Sequence, residues 1–388
     1  MRPFRALLAL CLALAALPGP ACTTGVISGK ATPDGRPILW KNRDTPDRHN
    51  QVVRGEGGRY SFVGVANQAD LGGLQIWSGV NAAGFAIMNN VSYNVDVKEE
   101  DSTMEGTFMR LALETCATVE DFQALLAATD GGGRFVAANF GVIDAKGGAA
   151  YFEANDKRFT RFDAAAAPGG FLVRGNYSHS GRKGQGAGYI REARALELVG
   201  GLRAQGRLTV ENLLGEVARD TANARTGAYP AEARRGWAWI GDSINRNTTA
   251  SSYVLQGVLP GEDPLASTAW ILLGQPITGV AVPVWVGAGP VPPELHARPM
   301  APLHAAFDRI SRFAYPDRSD DQVRYLDVAR MYDPAKGLLA PLREMERRNF
   351  EEVRKAGPKA DRRALQEGIA RRTLEAVLQL LSGRGLPE

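Results

Sequence analysis

The chain has 388 residues, 44% hydrophobic and 23% charged, with 44 Gly and 22 Pro scattered along it. That composition excludes the fibrous, collagenous and disordered classes, and the length allows two domains or one large layered one. Lys and Arg (46) barely exceed Asp and Glu (42) and are interspersed with them, so charge gives no argument for nucleic-acid binding.

Met1–Arg5 is basic, Ala6–Leu17 is almost wholly Ala and Leu, and Pro18-Gly19-Pro20 breaks any helix. The order is that of a secretory signal peptide, its apolar run falling short of the ~20 residues of a spanning helix. Gly19 and Ala21 are the small residues before a cut at Cys22, so the mature protein is expected to begin Cys22-Thr23-Thr24, exported to the periplasm or outside the cell. The competing reading is a lipoprotein signal in which Cys22 takes a lipid, although Gly19 stands where such a signal carries Leu. Cys11 leaves with the signal. Cys22 and Cys116 remain, too few for a disulfide scaffold, with a single bridge left open. Cys116 sits in a helical apolar pattern and reads as core.

From Cys22 short strands and turns follow. Gly25–Ser28 and Pro37–Trp40 flank the turn Pro33-Asp34-Gly35; Leu74–Val80 and Phe85–Met88 flank Asn81-Ala82-Ala83-Gly84; Phe140–Ile143 and Ala149–Glu153 flank a third Gly-containing turn. Glu105–Thr129 is expected to be helical, with Thr118 and Asp121 as a cap for its second half. A strand at Phe171–Arg174, a Gly-rich loop, helices at Tyr189–Leu202 and Thr209–Arg219, and strands at Ser252–Val258, Ala269–Leu273 and Val280–Val286 come next. Beyond Met300 the texture turns charged and helix-prone over Pro302–Phe313 and Asp320–Leu381, broken near Gly357-Pro358, with Leu374, Val377, Leu378 and Leu381 as one apolar face. The division expected is a signal over 1–21, a catalytic domain over 22–300 and a helical extension over 301–388. Those helices pack on the main domain or form a surface for self-association. Hairpins, helices and hairpins again suggest two antiparallel sheets with helical layers, an α+β fold.

A cut before Cys22 gives one residue both a thiol and a free α-amine of pKa about 7.7–8.0, so nucleophile and base arrive together. The first hairpin brings Lys41–Asp44 back beside Cys22–Gly25. Asp44 there is a candidate to hold the amine, and Lys41 or Arg43 to lower the thiol pKa; the ordinary reading of this run is a solvated strand end. Acyl transfer also needs oxyanion donors. Asn89, Asn90 and Asn176 end apolar strands and are the candidates, against their ordinary use as turn formers. Arg191 opens the helix after the Gly-rich loop, where it either faces the site or is an exposed helix arginine. Trp77, Met88 and Tyr93 are apolar enough to line an acyl pocket, though core packing explains them as well.

Cys22-Thr23-Thr24, Leu39-Trp40-Lys41-Asn42-Arg43-Asp44, Gly79-Val80-Asn81-Ala82-Ala83-Gly84-Phe85-Ala86-Ile87-Met88-Asn89 and Leu172-Val173-Arg174-Gly175-Asn176-Tyr177 occur in this order. With them the sequence resembles the N-terminal-nucleophile (Ntn) cysteine hydrolases. Within these it is most similar to relatives of acyl-CoA:isopenicillin N acyltransferase (peptidase family C45), and more distantly to choloylglycine hydrolases, penicillin V acylases and acid ceramidase. The resemblance spans about Cys22 to Val286. It implies a four-layer αββα sandwich and an amidase or acyltransferase acting on a small N-acylated substrate. It further implies Cys22 as nucleophile, Asp44 as partner of its amine, Asn176 and the backbone near Asn89-Asn90 at the oxyanion, and Arg191 as an active-site arginine. Lys41 falls where the more distant relatives carry arginine, keeping the charge without the fork geometry.

Other chemistries fit less well. Ser180-Gly181-Arg182-Lys183 and Ser243-Ile244-Asn245 match Ser-x-x-Lys and Ser-x-Asn, but Arg225-Thr226-Gly227 precedes Ser243 rather than following it. Gly184–Gly188 fits no phosphate-loop pattern. His49, His179, His296 and His304 have no metal-ligand spacing. No metal, cofactor, nucleic acid or membrane span is expected. A lipidated Cys22 would lose thiol and amine alike and leave an envelope-anchored binding or scaffold protein.

Overall fold

The computed structural model describes residues 21–70, 72–96, 104–316 and 325–386. The signal sequence expected before Ala21 and the start of the helix expected from Asp320 lie outside them. Strands are numbered in chain order. One sheet contains β1 (Thr23–Ile27), β2 (Ile38–Asp44), β10 (Phe171–Arg174), β12 (Thr249–Gln256), β13 (Thr268–Leu273) and β14 (Val282–Val284). Its spatial order is β10-β1-β2-β12-β13-β14, every pair antiparallel. The other is an antiparallel meander of β3 (Asn50–Gly55), β4 (Phe62–Asn67), β5 (Ser78–Asn81), β6 (Ala86–Val91), β7 (Ala138–Ile143), β8 (Ala149–Ala154) and β9 (Phe159–Asp163). Two short strands, β11 (Trp237–Trp239) and β15 (Tyr325–Asp327), pair separately. β3, β4 and β9 have no counterpart in the sequence reading. Each mixes polar residues or glycine into its apolar run, and their order comes from pairing with neighbours.

Strand alternation sorts the side chains. Val26, Leu39, Met88, Tyr151 and Tyr253 share the core between the two sheets. Ile27, Ile38, Trp40 and Val254 face outward beneath α3 (Tyr189–Ala204) and the 210–217 helical turns. The far face of the meander carries Phe62, Phe85, Ile87, Phe140 and Phe152 under α1 (Glu105–Thr115) and α2 (Val119–Thr129). Helix, sheet, sheet and helix make the αββα sandwich.

Three expected elements change shape. The helix of Glu105–Thr129 is two helices, because Cys116 and Thr118 are extended and Thr118 with Asp121 forms a reciprocal capping box. Thr209–Arg219 is one α-turn at Val210–Asn212 followed by a π-turn at Leu213–Val217. The strand expected from Leu74 begins only at Ser78, since Gln75 and Leu74 give their N–H groups to the Asp70 carboxylate.

The C-terminal helices are α4 (Pro302–Ala314), α5 (Leu339–Ala356) and α6 (Arg362–Gly383). They share one continuous core with the sheets: Phe307, Ile310, Leu342, Ile369, Val377 and Leu381 are buried with Ile271, Val282 and Val284. On α6 the buried positions Gln366, Gly368, Ile369, Ala370, Thr373, Val377 and Leu381 face the core, whereas Leu378 is 42% exposed. The apolar face expected there is corrected accordingly, position 378 lying about 100° round the helix from Val377. Among the described residues no helix is long and apolar enough to cross a membrane.

Candidate active site

Cys22 stands immediately before β1. The register Thr23↔Asn42 and Thr24↔Lys41, with Ala21 N donating to Asp44 O, sets it opposite the Lys41–Asp44 run of β2. That run is buried throughout, not a solvated strand end. Alternation gives the two halves of Cys22 different surroundings. Lys41 and Arg43 project with Leu39 into the space between the sheets, where Cys22 falls with Thr24 and Val26. Asn42 and Asp44 project the other way, toward α3.

On the α3 side the backbone of Cys22 is gripped by side chains far away in sequence. Asn176 Oδ1 accepts from Cys22 N at 2.8 Å. Arg191 Nη1 donates to Cys22 O at 2.7 Å and to Thr23 Oγ1 at 2.8 Å, and its Nη2 donates to Asn176 Oδ1 at 3.0 Å. Arg191 is 1% exposed, so its reading as a surface helix arginine is corrected. Asp44 accepts from Thr249 Oγ1 through Oδ1 at 2.7 Å, while Oδ2 has no hydrogen-bond donor among the described residues; Arg191 and Arg246 stand 3.8 and 3.9 Å away. Burial pushes the Asp44 pKa up to about 6, against the pull of the two guanidiniums and the Thr249 bond.

On the inner side Lys41 Nζ donates to Asn89 Oδ1 at 2.8 Å and to Trp77 O at 2.9 Å, both neutral acceptors. Burial lowers its pKa to about 7, opposed by the nearby Cys22 thiol. Arg43 donates to Asn50 Oδ1 and lies 4.7 Å over the half-buried Trp77 ring; its pKa too is lowered by burial. Lys41 and Arg43 are thus the two basic side chains electrostatically coupled to the thiol from β2.

The asparagines carry structure as well as potential chemistry. Asn89 is engaged by Lys41. Asn90 Nδ2 donates to Arg174 O and Gly175 O, tying the end of β6 to that of β10. Asn176 Nδ2 donates to Val91 O. The amide donors of Asn90 and Asn176 are thus already bonded to backbone carbonyls, whereas Asn89 is held through its Oδ1 acceptor. Met88 is fully buried in the inter-sheet core, and Tyr93 is 41% exposed at the rim, its N–H bonded to Asn176 O. Gly184, Gly186 and Gly188 all adopt positive φ, and a Cβ on Gly188 would come within 2.7 Å of Arg191 Nη2. The Gly-rich loop is thus an ordered piece that makes room for Arg191. Cys22 and Cys116 are free thiols, Cys116 within the core beneath α1 and α2.

Residues 31–193 match the acyl-coenzyme A:6-aminopenicillanic acid acyl-transferase family. The match includes Lys41, Asp44, Asn176 and Arg191 and begins after Cys22. No curated protein matches the chain. Among solved structures it is similar to an N-acylethanolamine-hydrolyzing acid amidase ortholog of Caenorhabditis elegans (16% identity, 49% of this chain and 86% of that one, TM-score 0.37). It is also similar to a mutant conjugated bile acid hydrolase of Clostridium perfringens (11%, 69% and 93%, TM-score 0.41). Penicillin V acylase of Agrobacterium tumefaciens is a third (14%, 68% and 86%, TM-score 0.42).

Five site residues escaped the sequence reading. Asp242, Arg246, Asn247 and Thr249 arrive on and before β12, and Glu192 follows Arg191. Glu192 Oε2 accepts from Gly175 N at 2.6 Å and its Oε1 from Tyr177 Oη at 2.6 Å, bracketing Asn176. The one signal for the β12 group was the polar run Asp242–Asn247 before an apolar strand, which has no fixed spacing to Cys22.

Proposed function

We propose that the mature protein begins at Cys22 and is an exported cysteine hydrolase of linear amides, forming an acyl-enzyme with a small N-acylated substrate. The observation that carries this is the convergence at Cys22 of buried side chains from other elements, Asn176 on its nitrogen and Arg191 on its carbonyl with Asp44 3.8 Å from Arg191, and that nitrogen becomes an amine once Ala21 is removed. The amine takes the thiol proton as sulfur attacks the amide carbonyl. The S–C bond forms, the C–N bond breaks, and the proton passes to the leaving nitrogen; water, or an acceptor amine, then attacks the thioester and restores the thiol. Asn176 and Arg191 hold the nitrogen and carbonyl of Cys22, and Asp44 Oδ2, which has no hydrogen-bond donor among the described residues, is an acceptor for the extra protons of the amine. Oxyanion donors are to be sought in backbone N–H groups near Asn90 and in sharing of Asn176 Nδ2.

The reading with a lipid on Cys22 is not favoured, since Cys22 is only 5% exposed inside this network. N-terminal sequencing and intact mass of protein from its native compartment test the first step: a free Cys22 is expected, and any other first residue or a diacylglyceryl mass overturns it. Screening that protein against N-acyl amino acids, N-acyl lactones, penicillin V and bile conjugates tests the second. Cys22→Ala is expected to lose roughly 10³-fold or more in rate and Cys22→Ser to keep a trace; full activity in Cys22→Ala overturns the mechanism.

A further inference from the structure

A cleft of about 480 Å³ opens directly beside the site, with Ala21 in its wall. Tyr93, Tyr189 and Trp239 give it apolar sides, and its charged lining is Arg191, Arg225, Arg246 and Asp242, three guanidiniums against one carboxylate. Three of its residues are at least nine-tenths buried and keep a buried nitrogen with no hydrogen-bond partner among the described residues: Arg191 Nε, Arg246 Nε and Asn247 Nδ2. For Arg246 the nearest acid is Asp44, at 3.9 Å. Buried donors without acceptors cost free energy that a bound acceptor would return. The lining is thus rich in unused donors, and its net charge is positive.

Proton transfer fixes which half of a substrate lies there. The amine of Cys22 must give its proton to the leaving nitrogen, so that nitrogen has to come within hydrogen-bond reach of Cys22 N. Ala21 is attached to that same nitrogen and lines the cleft, so the leaving amine enters the space that Ala21 vacates. We infer that the cleft binds the amine half of the substrate and that Arg246, with Asn247, reads a carboxylate on it, making amides of amino acids the preferred class. This rests on the proposed function and adds a specificity-determining residue to it. Arginine pairs with a carboxylate in fork geometry, which a lysine at position 246 would reproduce only in charge.

The test compares an N-acylglycine with the N-acylglycinamide of the same acyl chain, on protein beginning at Cys22. The expected result is a kcat/KM at least tenfold higher for the glycine amide, expressed in KM. Arg246→Gln brings the ratio to within threefold, and Arg246→Lys keeps part of it. Taking the ratio cancels any change in Asp44 protonation, which both substrates share. Equal rates in the unaltered protein, or an unchanged ratio in Arg246→Gln, overturn the inference and leave the amidase reading standing. If neither amide is cut, the amidase reading fails, and calorimetric binding of the two ligands to Cys22→Ala decides the inference: tighter binding of the glycine form, lost in Arg246→Gln, sustains it, and equal binding overturns it.

Discussion

Asp44 illustrates how burial rather than identity sets a role. The same carboxylate on a solvated strand end would titrate near 3.8, but beneath α3 its pKa is raised to about 6. Its charged form is the one that can accept from the Cys22 amine. The rate should therefore show an acid limb near pH 6 from Asp44, below the one that protonation of the Cys22 amine imposes at higher pH. Asp44→Asn should be nearly inactive and lack that acid limb, and a kcat/KM profile between pH 4.5 and 8 checks both. The sequence showed that Lys41, Arg43 and Asp44 return to Cys22, because a short hairpin fixes register locally. That Lys41 and Arg43 share one face of β2 while Asp44 lies on the other was implicit in the two-residue period, but only the sheet identifies which face looks at which layer. Arg246 was out of reach altogether: it lies more than two hundred residues from Asp44 in sequence, and no local pattern encodes that contact.

At the scale of elements, the loop before α3 does the positioning. Gly188 lies at φ +86° with Arg191 Nη2 and Asn176 N close to where a Cβ would sit, whereas Gly184, at φ +75°, has nothing near. Alanine at either position costs about 1 kcal/mol of left-handed strain. Only Gly188→Ala should also displace Arg191, so it is expected to lose at least tenfold in kcat while Gly184→Ala keeps its activity. Denaturant titration alongside turnover separates the two effects. Elements with strong local signals were legible: the Thr118–Asp121 cap, the Tyr189 helix and the Gly-turn hairpins all stand near where the sequence set them. β3, β4 and β9 were not, since a strand with mixed polarity is stabilised by partners elsewhere in the chain.

Over the whole molecule, the C-terminal helices complete the core. Arg219 and Glu346 form a bidentate buried pair at 2.6 and 2.9 Å, and Glu346 also accepts from Ala281 N, binding α5 to the edge of the first sheet. Arg219→Met should destabilise the protein by about 3–5 kcal/mol by stranding a buried carboxylate. The double variant Arg219→Met/Glu346→Leu should recover much of that loss. Urea unfolding of the single and double variants checks the cycle, and additive losses would show that the pair is not coupled.

The sequence by itself determined the class of fold, the hairpins, the cap, and the gathering of Lys41–Asp44 beside Cys22, because those depend on turn chemistry, period and short-range register. Only the tertiary structure decided that Asn176 and Arg191 grip the Cys22 backbone, that the Asn90 and Asn176 amides are already bonded, that the tail shares the main core, and that Arg246 and Asn247 line the cleft at Ala21. These are contacts between segments tens to hundreds of residues apart, fixed by how two sheets and their helices stack, and burial then sets the charge each group carries.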